Sequence, residues 1–270
     1  PFKHEQMTSR LITAPESSIH QVLEAHEIDP GDVAGVIDST YSSRLIVDIG
    51  SSQLDSDRMY YLLRDSLMTG VEYGVYDAEW LLNAMCVGRD PSSGADDPPN
   101  RSWRLCLDRD RGQYAAEQLI LARHHMNLQV YMHRVTRGYE VLLLMLFREA
   151  GRILREGARS DSTPASVKRY FEVGMAMSLS EWTLFDESAM VAALQAWVLE
   201  QGPEWGRVRR LAGAFLNRER VFRGFSLASL RGQHLLLPKA LEEAGVREKS
   251  DWELDIGEHL PYKGVSYRVS

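Results

Sequence analysis

The chain has 270 residues, 44% hydrophobic and 26% charged, an ordinary globular composition with ample material for a core. Its 31 Lys and Arg against 38 Asp and Glu leave a formal charge of −7, which argues against a general nucleic-acid binder. Any phosphate site must therefore be a local basic patch in an acidic protein. The chain opens Pro-Phe-Lys-His-Glu, without Met and without a basic-then-apolar leader, so residues upstream of Pro1 are expected. A first helix is predicted over His4–Leu11 and a second over Ile19–Ala25. The turn Asp29-Pro-Gly-Asp32 launches a third helix, Val33–Ser39, with Asp32 as its cap. The apolar run Arg44–Ile49 leads into a helix over Ser51–Met68, which Gly70 stops. Asp77 caps a helix over Ala78–Met85, and residues 88–102 have loop composition. Trp103–Asp108 alternates as a short strand does, and a long helix is predicted from about Gln113 to Arg155. The longest apolar run, Val141–Phe147, lies within it and falls far short of the roughly 20 residues of a membrane span. A loop over Gly157–Pro164, further helices to about Arg223 and one or two edge strands in the tail complete the chain. The expected fold is mainly α with minor β elements: one helical bundle over residues 1–270, with 157–270 as its C-terminal helical part. Cys86 and Cys106 are too few for a disulfide framework or a zinc site, and a reducing cytoplasm fits that usage.

Two helices carry grouped polar chemistry. At about 100° per residue, Asp57 at zero places Tyr61 near 40°, Asp65 near 80° and Arg58 near 100°. Met59, Leu62, Leu63 and Leu67 fall on the opposite side, so one face is apolar and the other bears two carboxylates, a guanidinium and a phenol. That set suits a phosphorylated, metal-bound ligand, and a solvated outer face explains the same charges. On a continuous long helix, Arg123, Asn127, Tyr131 and Arg134 share a stripe within about 80°. Arginine forks match phosphate oxygens and a tyrosine stacks on a sugar or base; ion pairing with acids of a neighbouring helix is the structural alternative. His124, His125 and His133 have no spacing that closes a metal site by themselves.

The run Asp55-Ser-Asp-Arg-Met-Tyr-Tyr-Leu-Leu-Arg-Asp-Ser-Leu-Met-Thr-Gly resembles a signature of HD-domain deoxynucleoside triphosphate triphosphohydrolases. The pattern there is Asp-x-Asp-(Arg/Lys)-x-Asp-Tyr-x-x-Arg-Asp followed by Thr-Gly. The run Leu121-Ala-Arg-His-His-Met-Asn-Leu-Gln-Val-Tyr-Met-His-Arg is similar to a second helix of that family, and His4-Glu5 to its His-Glu element. A weaker likeness reaches Leu216-Asn-Arg-Glu-Arg-Val-Phe.

The resemblance implies a metal-dependent phosphohydrolase that releases deoxynucleoside and tripolyphosphate, with a divalent ion such as Mg, Mn, Fe or Ni. It implies Asp57 as a metal ligand, Arg58, Arg123 and Arg134 as phosphate contacts, and Tyr61 packed on the substrate. Asp65 would accept from the sugar 3′-hydroxyl, Tyr131 would lie against the deoxyribose, and Asn127 would line the same stripe. His4 would stand near the phosphates and assist proton transfer. A homo-oligomer with a nucleotide substrate and no membrane is implied as well. Two departures stand out: no His-Asp dipeptide occurs in the 270 residues, and Tyr60 stands where the family usually has Asp. A nucleotide-binding regulator without turnover and a helical scaffold are the competing readings.

Overall fold

The computed structural model describes residues 4–90, 92–94, 98 and 102–221, and the side chain of His4 lies outside that description. The fold is mainly α, with a single two-stranded sheet among the described residues. Chain contacts separate two compact units, one reaching to Val130 and one beginning at Tyr131.

The first unit holds α1 (His4–Thr13), α2 (Ser18–Ala25), α3 (Pro30–Ile37), α4 (Arg44–Gly50), α5 (Ser56–Thr69), α6 (Ala78–Asn83), β1 (Met85–Arg89), β2 (Trp103–Leu107) and α7 (Arg109–Met126). Side-chain caps set most helix starts: Ser17, Asp29, Asp55, Asp77 and Asp108 each accept a backbone N–H of the following turn. Asp29, not Asp32, caps α3; it precedes Pro30, whose fixed φ suits the first helical position, and Asp32 lies inside the first turn. Gly70 ends α5 in the left-handed conformation, φ 72°, as its position in the sequence predicts.

The predicted Ser51–Met68 helix begins only at Ser56, as α5; residues 51–55 are irregular, and the apolar run before them is a helix of its own, α4. Ser52 Oγ accepts from Leu54 N, and Asp55 caps α5, so short polar side chains take backbone donors that a continuous helix would use. The buried stripe of α5 is Asp55, Met59, Leu62 and Ser66, which leaves Leu67 80% exposed instead of in the core. The predicted Ala78–Met85 helix stops at Asn83, because Met85 opens β1. β1 pairs antiparallel with β2, Met85 opposite Leu107 and Arg89 opposite Trp103, so the predicted loop begins with strand. Arg104 in β2 clamps the hairpin to α4 through both oxygens of buried Asp48, at 2.7 and 2.9 Å.

The second unit holds α8 (Arg134–Arg155), α9 (Ala165–Val173), α10 (Leu179–Thr183), α11 (Glu187–Leu199) and α12 (Gly206–Leu216). The predicted helix from Gln113 to Arg155 is interrupted: Asn127–Tyr131 is a π-helical turn, and His133 caps α8 by accepting from Val135 N. Leu142, Leu146, Ala150 and Ile153 form the inner stripe of α8. They meet Trp197 of α11, Trp205, and Val208 and Ala212 of α12 in one buried cluster. The predicted tail strands lie outside the described residues.

Candidate functional site

The first turn of α5 gathers Asp55, Asp57 and Arg58. Asp55 is buried; one carboxylate oxygen caps Arg58 N at 2.8 Å and the other takes its guanidinium at 2.6 Å. Arg58 is thereby aimed along the helix start and held by a charge-assisted pair. Asp57 is exposed in the same turn, where the helix dipole favours a negative charge. One and two turns on, Tyr61 and Asp65 are each partly buried, and Asp65 lies 3.4 Å from Arg64.

Arg123 comes to the same end of α5 from α7. Its Nη1 donates to Gln53 Oε1 at 3.2 Å, in the segment just before Asp55. Its Nε is buried and has no hydrogen-bond partner among the described residues. The neutral carboxamide leaves the guanidinium charge uncompensated by that contact, and an orphaned buried donor costs about 1–3 kcal/mol. Gln53 and Asp55 escape the helical-wheel argument, since both lie in the irregular segment before α5. Asp55 is legible in the motif as its first carboxylate; nothing in the sequence marks Gln53.

The stripe Arg123–Asn127–Tyr131–Arg134 does not survive as a helical face. Asn127 opens the π turn and bonds back to the carbonyl of Arg123 at 3.0 Å, while Tyr131 and Arg134 belong to the second unit. The wheel assumed 3.6 residues per turn through a segment that has a wider turn and then a new cap. Arg134 is exposed in the first turn of α8.

A groove of about 510 Å3 on the first unit is lined by Tyr73, Tyr76, Asp77, Gln118, Ala122 and His125, and by none of Asp57, Arg58, Tyr61, Asp65, Arg123, Asn127, Tyr131 and Arg134. Tyr73 meets His125 edge-on, with ring centroids 6.3 Å apart. Tyr76 donates its hydroxyl to Met59 O at 2.7 Å, and burial pushes its pKa up to about 12, so it is a structural phenol.

A divalent ion needs several hard or imidazole ligands at one point. Among the described residues no group of three or more His, Cys, Asp or Glu converges, and Asp57 stands exposed on its turn. The described residues alone therefore do not fit a metal centre.

No family model matches the chain. The chain is 31% identical over 263 residues to the Bacillus subtilis protein named Uncharacterized protein YwfO, a match covering 96% of this chain and 56% of that one. It is 28% identical over 160 residues to Uncharacterized protein MG461 of Mycoplasma genitalium, covering 57% and 35% of the two chains. Over 93 residues it is 37% identical to Uncharacterized protein MJ1154 of Methanocaldococcus jannaschii, covering 34% and 18%. The chain thus spans about half the length of the Bacillus protein, 56%, and less of the other two. No helix among the described residues is long and apolar enough to cross a membrane.

Proposed function

We propose that the chain is the nucleotide-binding part of a phosphohydrolase acting on deoxynucleoside triphosphates, releasing deoxynucleoside and tripolyphosphate. The observation that carries the reading is the buried, unpartnered Nε of Arg123 at the end of α5 that bears Arg58. A triphosphate oxygen supplies the acceptor that Gln53 does not. Arg58, kept in place by Asp55, adds a second positive group, and the two cations offset phosphate charge as it builds. Tyr61 and Asp65, farther along the same helix, suit the sugar, with the Asp65 carboxylate accepting from a 3′-hydroxyl. The described residues alone do not close a site for the divalent ion that the family resemblance implies. The expected homo-oligomer is part of the same proposal. Binding without turnover is the second reading, favoured by the Asp55 carboxylate that shares the charge of Arg58 and so weakens its pull on phosphate charge as it builds.

The test is calorimetric titration of a non-hydrolysable deoxynucleoside triphosphate, with release of tripolyphosphate from the natural deoxynucleoside triphosphate measured in parallel. Arg123→Ala should weaken binding by about 1.5–3 kcal/mol, the worth of a hydrogen bond to a charged group. Arg152→Ala, at an exposed arginine already paired with Glu149 and Glu156, should leave it unchanged. Equal affinity in wild type and Arg123→Ala overturns the site. Binding with no tripolyphosphate released selects the second reading.

A further inference from the structure

Cys86 and Cys106 are free thiols on facing strands of the β1–β2 hairpin, and the register sets them directly opposite each other. The type of pair follows from the flanking bonds. Asp108 N donates to Ala84 O at 2.9 Å and Asp90 N to Ser102 O at 2.7 Å, which makes 84/108 and 90/102 hydrogen-bonded pairs. Pairs alternate along an antiparallel ladder, so 86/106 is of the same type, with an expected Cα separation of about 5.5 Å. That lies inside the span of about 4.4–6.8 Å that a disulfide bridges. At this type of pair the side chains stand farther apart than at its neighbours, so a bridge carries strain, and strained or exposed disulfides are the readily reduced ones.

The thiols differ in access. Cys86 is exposed, whereas Cys106 is partly buried and leans over the strand, with its Sγ 2.7 Å from where a Cβ on Gly88 would stand. Only the absence of a side chain at Gly88 leaves room for that resting position. Burial, with the neighbouring Cys86 thiol, pushes the Cys106 thiol up.

We infer that Cys86 and Cys106 form a reversible disulfide, a modification site in which a low-molecular-weight disulfide oxidises the hairpin. The Cys86 thiolate attacks one sulfur of the small disulfide, whose S–S bond breaks; a mixed disulfide forms on Cys86 and one small thiolate leaves. The Cys106 thiolate then swings off Gly88 and attacks Cys86 Sγ, the mixed disulfide breaks, and the second small thiolate leaves. The protons of the two cysteines end on the two small thiols, and the chain loses two electrons to the disulfide it reduced. This inference does not depend on the nucleotide site.

The probe is oxidised glutathione added to the full 270-residue chain, followed by alkylation, intact mass and peptide mapping without reductant. Wild type should lose both free thiols, yield one peptide pair joined through Cys86 and Cys106, and recover both thiols in reduced glutathione. Cys106→Ser should stop at one glutathione on Cys86, with an adduct that outlives the wild-type intermediate by about tenfold or more, since no resolving thiol remains. A wild-type chain that keeps both thiols, that accumulates the Cys86 adduct as its end state, or that links only to another chain overturns the inference.

Discussion

The two units bury different chemistry. Among the described residues the buried carboxylates, Asp48 and Asp55, lie in the first unit, each matched to an arginine and a backbone N–H. The second unit buries rings: Trp197 touches Phe147, Phe171 and Trp205, and its buried polar side chains are hydroxyls. Aromatic burial stabilises without requiring one particular orientation of charge. A buried carboxylate costs desolvation and is tolerated only where its partners are fixed, so it defines local geometry more than it adds stability. The arrangement that holds Arg58 at the start of α5 is of this second kind.

The comparison breaks most easily at its apolar end. Trp197 is fully buried and donates its indole N–H to Thr163 Oγ1 at 2.8 Å, and that hydroxyl also meets Ser160 Oγ. Trp197→Ala should destabilise by about 4 kcal/mol, the usual range for emptying a tryptophan site. Urea unfolding reads the loss, and a change under 1 kcal/mol would deny the ring cluster its role. In the first unit the sharpest packing constraint is Gly74. A Cβ there would stand 2.4 Å from Leu62 O and 3.0 Å from Ser66 Cβ, and Gly74 N donates to Ser66 Oγ, whose own proton goes to Val71 O. Gly74→Ala should cost about 3 kcal/mol, because backbone cannot yield as a side-chain tip does. Hydrogen exchange should speed in α5 around Ser66; unaltered exchange there would show that the turn absorbs a methyl group.

What the sequence disclosed follows from the range of the forces involved. Caps and stops are local, so Asp77, Gly70 and the strand at Trp103 are legible from a few neighbours. The mainly α class is legible too, because it sums many local preferences. β1 was hidden because a strand at Met85–Arg89 exists only by pairing with residues about 20 positions later in the chain. The break at Asn127–Tyr131 was hidden because nothing there is a Pro or Gly; an unbroken apolar pattern reads as unbroken helix. At the candidate site, Arg58, Tyr61 and Asp65 could be placed on α5 by period alone. The Gln53–Arg123 contact could not, since it joins an irregular segment to a helix 70 positions away.

The smallest predicted effect probes how local the charged clamp is. Asp48 accepts Arg104 Nε, Arg104 Nη2 and Leu105 N, while Arg104 Nη1 reaches Asp90 at 3.0 Å. Asp48→Asn keeps the shape but loses the charge and turns one acceptor into a donor. With the guanidinium side 40% exposed, solvent offsets part of the loss, and about 2 kcal/mol is expected, the scale of a hydrogen bond to a charged group. The hairpin then depends more on Asp90. The Ser92 hydroxyl first, then the Ser92 amide and Arg104, hold the Asp90 carboxyl below its ordinary 3.8. A carboxyl lowered by folding lends stability above its unfolded pKa and loses it as pH falls through the folded value. Amide exchange in β1 and β2 of Asp48→Asn should therefore rise more steeply than in wild type as pH drops below about 4, after correction for intrinsic rates. Exchange in α8 and α11 should follow wild type throughout. Parallel curves in the hairpin would mean that Asp90 and Arg104 hold nothing once Asp48 is neutral; a matching rise in α8 and α11 would show that the second unit shares the clamp.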